Sequence, residues 1–247
     1  MKGLQDVSIV LVRPRIPENI GSAVRVASNF GISSVILVRD KMPNRKRMAK
    51  TATHNTSDLL ETMPCYASLP EALQDFNLVV GTTARRGRQR FAERSPKQVM
   101  EWLRPQMEKN RVALLFGPED SGLSNDDLKL CQITSAIPTD NFSSLNLAQA
   151  VAIHCYELFQ TMVHEPKATT PNPTMASSQE LESMYTSLEE ALFEIDFLNE
   201  EEQRRKMGNI RHFFARNGLE SRDTQLIRSI CRKFLFHRTG SYEGSGK

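Results

Sequence analysis

Between Val7 and Pro138 the chain repeatedly sets a short aliphatic run against a stretch with helical spacing. The runs are VSIVLV (Val7–Val12), SVILV (Ser34–Val38), NLVVGTTA (Asn77–Ala84), VALLFGPE (Val112–Glu119) and ITSAIP (Ile133–Pro138). The first is continuous and β-branched, as a strand buried on both faces requires. Strands that alternate with helices predict an α/β fold with a mainly parallel sheet covered on both sides.

The intervening segments carry helix signals. NIGSAVRVASNFG (Asn19–Gly31) has apolar residues at helical spacing and ends on a glycine suited to a left-handed cap. Ser68 and Pro70 open a short helix, and Ser95–Pro96 open another that Pro105 kinks or ends. Ser124 and Asp127 form a capping-box pattern, and a long helix runs from about Leu145 to Val163. In a parallel sheet the working residues sit in loops beyond the strand carboxyl ends. Three polar loops hold that position here, GTTARRG, FGPEDSGLS and PTDNFSSLN, and they should converge on one cleft.

After Val163 the pattern changes. HEPKATTPNPTMASSQ is rich in proline and small polar residues, as a linker is. Beyond it only helical patterns occur, and TGSYEGSGK reads as a disordered tail. The expected division is a catalytic-type α/β domain over 1–164, a linker over 165–178 and a helical module over 179–247.

Composition narrows the function. With 39% hydrophobic and 25% charged residues the chain has an ordinary globular balance. No apolar run reaches the roughly 18 residues of a membrane span. The N-terminal apolar stretch is too short for a secretion signal, so the expected location is cytoplasmic. Cys65, Cys131, Cys155 and Cys231 form no C-x-x-C pair, and no two histidines have ligand spacing. Buried free thiols and no metal site are expected. The chain also lacks G-x-G-x-x-G, and GPEDSG has no following lysine, which weighs against hydride transfer and nucleotide hydrolysis. Positive charge gathers in Arg39–Lys50, Ala84–Arg90 and Glu202–Asn217, which points to a phosphate-bearing partner such as nucleic acid.

Single residues leave alternatives open. Arg25 lies opposite Ile20, Val24 and Ala27 on the helical wheel, as a solvent-facing or a functional arginine does. Asn19 stands where a helix cap is expected. Glu119 lies beside a turn made by Asp120, Ser121 and Gly122, and Gly117 is either part of that turn or a place of close ligand approach. Ser144 caps the following helix or belongs to a site. No histidine is near it in sequence, so a hydrolase triad is not indicated.

Together, RIPENIGSAVRVASNFG, LLFGPEDSGLS and IPTDNFSSLNLAQAVAI, in that order, resemble the three signature motifs of the SPOUT RNA methyltransferases. The likeness is to the TrmH family, within it to bacterial tRNA ribose 2′-O-methyltransferases of the TrmJ type. It covers Val7–Val163 and extends to EIDFLNEEEQRRKMGNIRHFFARNGL in the helical module. The resemblance implies a trefoil-knotted domain and a homodimer whose site is completed across the interface. It also implies S-adenosyl-L-methionine held by Thr82, Thr83, Ala84, Gly117, Ile137, Ser143, Ser144 and Leu145. Arg25 and Ser144 become the catalytic pair, supported by Asn19, Glu119 and Asn146. The implied substrate is tRNA, at the 5′ side of the anticodon loop. The alternatives are a knotted RNA-binding protein without catalysis, a 2′-O-methyltransferase acting on rRNA, and an α/β enzyme on a small metabolite.

Overall fold

The computed structural model describes residues 4–53, 56–84, 94–140, 144–163 and 175–239. Ser143, the basic stretch Arg85–Arg90, the linker up to residue 174 and the tail from residue 240 lie outside the described residues. The chain forms two compact units, Met1–Thr174 and Met175–Lys247.

In the first unit, β1 (Val7–Val12), β2 (Ser34–Val38), β3 (Cys65–Tyr66), β4 (Leu78–Thr82), β5 (Val112–Phe116) and β6 (Ile133–Ser135) form one sheet. Its order is β3-β2-β1-β5-β4-β6 and every neighbouring pair is parallel. Parallel neighbours require crossovers. These carry α1 (Pro17–Asn29), α2 (Arg45–Ala49), α3 (Ser57–Thr62), α4 (Leu69–Leu73), α5 (Pro96–Leu103) and α6 (Asn125–Lys129), while α7 (Leu147–Val163) follows β6. The alternation of runs therefore folds as its pattern predicts.

Every residue of β1 and β5 is buried. Val10, Val12 and Leu115 meet Leu69 and Leu73 of α4 and Leu128 of α6. Ile9 and Leu11, fully buried, point the other way because side chains alternate along a strand. α1 and α7 pack together, and α5 packs on α7. α1 contributes Ile20, Ala23, Val24 and Ala27, all fully buried. Each large aliphatic side chain buried in this way contributes about 1.5–3 kcal/mol relative to exposure.

Three strands are shorter than their runs, with β4 stopping at Thr82 before the polar turn. β6 ladders with β4, whose last partner pair is Thr82 with Ser135; on its other side Ser135 makes a single bridge with Arg94, whose carbonyl accepts the Ala136 N–H at 3.0 Å, and regular pairing stops there. β5 ends at Phe116 because Gly117 begins a turn. α7 begins at Leu147 rather than Leu145. β3, α2 and α3 are not announced by any periodicity, being only two, five and six residues long. Gly31 adopts φ +75°, the left-handed cap its position predicted.

The second unit is helical: α8 (Ser178–Glu194), α9 (Gln203–Asn217) and α10 (Ser221–Thr239). Met175 and Ala176, expected in the linker, are buried, and the Ala176 N–H donates to the Leu219 carbonyl at 2.7 Å. Met184, Tyr185, Leu198 and Met207 form its core. Arg211 of the basic run is not a free surface charge. Its guanidinium makes a two-pronged pair with Glu182 at 2.6 and 2.8 Å and lies 4.2 Å over the Tyr185 ring. Arg205 and Lys206 pair with Glu202.

α1 packs on α2 through Gly21. A Cβ there would lie 1.9 Å from the Met48 carbonyl oxygen and 2.5 Å from Thr51 Oγ1. Helix propensity alone favours alanine over glycine by about 0.5–1 kcal/mol. The contact with backbone that cannot swing aside outweighs that gain. Gly21→Ala is expected to lower stability by roughly 1–3 kcal/mol in urea denaturation; a gain would mean that α2 moves freely.

Candidate active site

The loops that leave β4, β5 and β6 enclose a cavity of about 240 Å³. Thr82, Thr83 and Ala84 line it from the first loop, Gly117 and Glu119 from the second, and Ile137, Ser144 and Leu145 from the third. These segments are separated in sequence, and parallel strand order brings them together. Ser143 lies outside the described residues. Arg25 does not line the cavity. It is exposed on α1, with no hydrogen bond or ion pair among the described residues.

Gly117 turns the chain. A Cβ at this position would lie 2.3 Å from Gly122 C and Leu123 N, so the loop's own backbone fills the space a side chain would take. The turn is closed by the Gly122 N–H donating to the Pro118 carbonyl at 2.8 Å, with Gly122 at φ +65°. Close approach is thus real at Gly117, where the protein's own backbone occupies the direction a Cβ would take while the residue still lines the cavity.

The turn presents Glu119 to the start of α1. One carboxylate oxygen accepts the Arg15 N–H at 2.9 Å; the other accepts the Ile16 N–H at 3.3 Å and Asn19 Nδ2 at 2.8 Å. Ile16 is the α1 N-cap and offers no side-chain cap, so Glu119 supplies the acceptors from another loop. Burial raises the proton affinity of Glu119, but these donors outweigh it and hold the carboxyl below its ordinary value. Asn19 is not the cap its position suggested. It lies in the first turn, donates to Glu119, and accepts from Asn146 Nδ2 at 3.0 Å.

Asn146 caps α7. Its Oδ1 accepts the Ala148 N–H at 2.9 Å, and Gln149 Oε1 accepts the Asn146 N–H at 3.2 Å. Capping therefore belongs to Asn146, not to Ser144, which is left exposed at the cavity mouth. Three chain segments meet in one chain of hydrogen bonds, Glu119–Asn19–Asn146.

The floor holds residues not anticipated from sequence: Phe116, Ser135 and His154. His154 Nδ1 lies 2.8 Å from the Ala150 carbonyl, which can only accept, so Nδ1 carries the proton. Nε2 then accepts from Ser135 Oγ at 2.8 Å. Burial depresses the imidazole to about 4, and its ring meets Phe116 edge-on at 5.3 Å. It is neutral and internally satisfied. The available signal was its place on the buried stripe Leu147, Val151, His154, Cys155 and Leu158 of α7.

Glu119 and Asp120 bring carboxylates to the cavity, and no lysine or arginine lines it among the described residues. The site suits a cation that carries an apolar group.

The family model described as SpoU rRNA Methylase family matches residues 6–156, and one described as tRNA methyltransferase TrmJ, C-terminal domain, matches 179–243. The chain is 32% identical to the tRNA (cytidine/uridine/adenosine-2′-O-)-methyltransferase TrmJ of Pseudomonas aeruginosa, over 92% of this chain and 93% of that protein. It is also 32% identical to the tRNA (cytidine/uridine-2′-O-)-methyltransferase TrmJ of Pectobacterium atrosepticum, over 92% and 95%. A crystal structure of TrmJ from Z. mobilis matches with TM-score 0.79 at 29% identity, covering 92% of this chain and 98% of that one.

Two acid-sensitive groups are separable by pH. Glu119 has a folded proton affinity below its unfolded value of 4.5, so its stabilisation is present above that pH and lost as pH falls through the lower folded value. Glu119→Gln turns one acceptor into an N–H₂ facing backbone donors and is expected to cost about 1–3 kcal/mol at pH 7. In urea titrations the gap from the parent protein should narrow as pH falls below 4.5, the unfolded value, and on through the lower folded one. His154 is neutral when folded and titrates near 6.5 when unfolded. Its contribution is complete above 6.5 and lost as pH falls towards 4. His154→Phe should therefore flatten the stability profile between these values; an unchanged slope would mean that another group sets it.

Proposed function

The chain belongs to the SpoU rRNA methylase family, and from that premise we propose that it transfers a methyl group from S-adenosyl-L-methionine to a ribose 2′-oxygen of tRNA. The observation that carries this reading is the meeting of Thr82–Ala84, Gly117–Glu119, and Ile137, Ser144 and Leu145 around one acidic, partly apolar cavity. The donor set fits a cationic sulfonium nucleoside: Ile137, Leu145 and Phe116 offer apolar contact, and Glu119 and Asp120 offer negative charge. When bound, that donor supplies an activated methyl group, so the protein chiefly positions the acceptor and provides for its proton.

Glu119 is not a general base, because both its oxygens are occupied by α1 donors. It is a positioning residue. Guanidinium groups are not deprotonated in proteins, so Arg25 is not a base either. Arg25 binds the phosphate beside the target ribose or lowers the hydroxyl's proton affinity, and the proton leaves to a phosphate oxygen, Ser144 or water. Asn19 and Asn146 keep α1 and the third loop in register. Thr83, Ser143 and Ser144, with the backbone around Gly117, hold the donor. The trefoil knot implied by the motifs is part of this reading, supported by the family match.

In this reading the active form is a homodimer whose sites are each completed by the other copy's Arg25, since Arg25 does not line the cavity of its own chain. Support comes from the surface of the first unit. Phe30 at the end of α1 meets Tyr156 and Phe159 of α7, and this face leaves Tyr156, Val163 and Ile16 nearly half exposed.

tRNA is favoured over rRNA by the full-length relatives and by the match over 179–243. The anticodon loop, on its 5′ side, suits the reaction because its riboses can be splayed out, and the 2′-hydroxyl excludes DNA. The helical unit holds the tRNA body. Its free cations lie on α10, where Arg228, Arg232 and Lys233 are exposed, more than on α9. A knotted binder without catalysis has no use for an exposed Arg25 together with an exposed Ser144. No described helix is long and apolar enough to cross a membrane.

Incubating the protein with tRNA and methyl-labelled cofactor, then mapping the labelled ribose, tests the reaction. Arg25→Ala and Ser144→Ala are each expected to lose at least about 10²-fold in turnover. Mixed dimers of the two variants regain activity, because one of their cavities combines an intact Ser144 with an intact Arg25. If mixing restores nothing while both variants dimerise, Arg25 serves its own chain.

A further inference from the structure

A second depression, of about 890 Å³, lies at the carboxyl ends of β1, β2 and β3. In the sheet order these strands occupy one half, and the cavity strands β5, β4 and β6 the other. The two sites therefore share one edge of the sheet, with the segment Arg13–Ile16 between them. Arg13, Pro14 and Arg15 line the depression. The N–H groups of Arg15 and Ile16 bond Glu119, and the Arg15 guanidinium pairs with Asp120 at 2.8 Å, both acids lining the cavity.

The charges of this groove are unevenly compensated. Arg13, Arg15, Arg39 and Lys41 line it together with Asp40, Asp126 and Asp127. Asp127 is buried and occupied by Arg13 and by the Ser124 N–H and hydroxyl. Asp126 is paired with Lys129 at 2.8 Å. Arg39 donates to the neutral Pro14 carbonyl and so keeps its full charge. Lys41 is exposed, with no partner among the described residues. Arg15 is two-thirds exposed in its pair with Asp120, and such pairs exchange readily for another anion. Among the described residues, only Asp40 opposes these cations without a partner of its own. Arg13 is also held at φ +48°, with its N–H on the Val38 carbonyl. A left-handed arginine is backbone strain of the kind that collects at ligand clamps.

We propose that this groove takes the sugar-phosphate backbone of the RNA next to the ribose presented to the cavity, with Arg39, Lys41 and Arg15 as its phosphate contacts. The inference rests on the methyltransferase reading for the identity of the RNA, but not for the existence of the contact. Opposite fields on the two sides of Arg13–Ile16 hold the two ligands apart. A cation is drawn to the carboxylates of the cavity, and a polyanion to the groove.

The test measures binding of unfractionated bacterial tRNA to the full-length protein across a salt series, alongside binding of S-adenosylhomocysteine. Arg39→Gln with Lys41→Gln should weaken tRNA binding roughly three- to ten-fold near 0.1 M salt. The slope of log affinity against log salt should fall by about 0.7–0.9 for each phosphate that is no longer neutralised. Cofactor-product binding stays unchanged. Asp40→Asn should tighten tRNA binding by about two-fold or more, a gain that misfolding cannot imitate. Parent-like affinity and slope in both variants, with ribose methylation by the parent protein intact, overturns the groove alone. A parent protein that binds tRNA with these slope changes but methylates no ribose leaves the groove standing and removes the proposed reaction.

Discussion

The ionised carboxylate of Glu119 at the start of α1 is the contact on which the rest of the site depends. The β5 loop places it against donors from Arg15, Ile16 and Asn19, a hundred residues away in sequence. A helix start has unsatisfied N–H groups and a partial positive charge, and an anion there answers both. Desolvating the carboxylate is costly, and the three donors offset that cost. Asn19 then passes the constraint on to Asn146, which starts α7. The second and third signature motifs are thus joined through the first. Arg25 lies six residues beyond Asn19, about 9 Å along the helix axis at 1.5 Å per residue. The reach of that guanidinium is set by where Glu119 holds the helix.

Features governed by neighbours in the chain were legible beforehand. The serine caps at Ser68, Ser95 and Ser124 form as their spacing indicates, and the aliphatic runs pair as a parallel sheet. So was the convergence of three loops, because strand order in an α/β sheet leaves them one common edge. Roles that depend on distant partners were not legible. Asn19 looks like a cap, yet the acceptor at α1 is Glu119 from another loop, and Asn19 instead links that acid to Asn146. His154 is set apart by no motif in the sequence, and the fold brings it under the cavity on a buried helix stripe.

Charge was the least faithful guide. Counting lysine and arginine in Glu202–Asn217 suggests a basic surface, but Arg211 closes over Tyr185 and Glu182, and Arg205 and Lys206 answer Glu202. Counting Arg39–Lys50 conceals the opposite case. Arg47 is tied to Glu18 at 2.8 Å, while Arg39 and Lys41 keep their charge. A run of basic residues shows how much charge a segment has; only the fold shows how much of it is already spent on carboxylates.

That distinction bears on how one sheet edge could serve two ligands of opposite sign. If cations and carboxylates were mixed evenly along the edge, neither a sulfonium nor a phosphate chain would have a preferred place. Here Glu119 and Asp120 face the cavity, and Arg39 and Lys41 face the groove. The segment between uses its backbone and Arg15 to engage the acids while Arg13 turns to Asp127. Opposite charges across so short a wall attract one another and steady the wall, so the field that sorts the ligands also helps to hold its own geometry. Arg15 is the weak member of this arrangement, being exposed and paired only with a half-exposed acid. An arriving phosphate that drew Arg15 away would leave Asp120 less neutralised at the cavity rim, strengthening the field that retains a cation there.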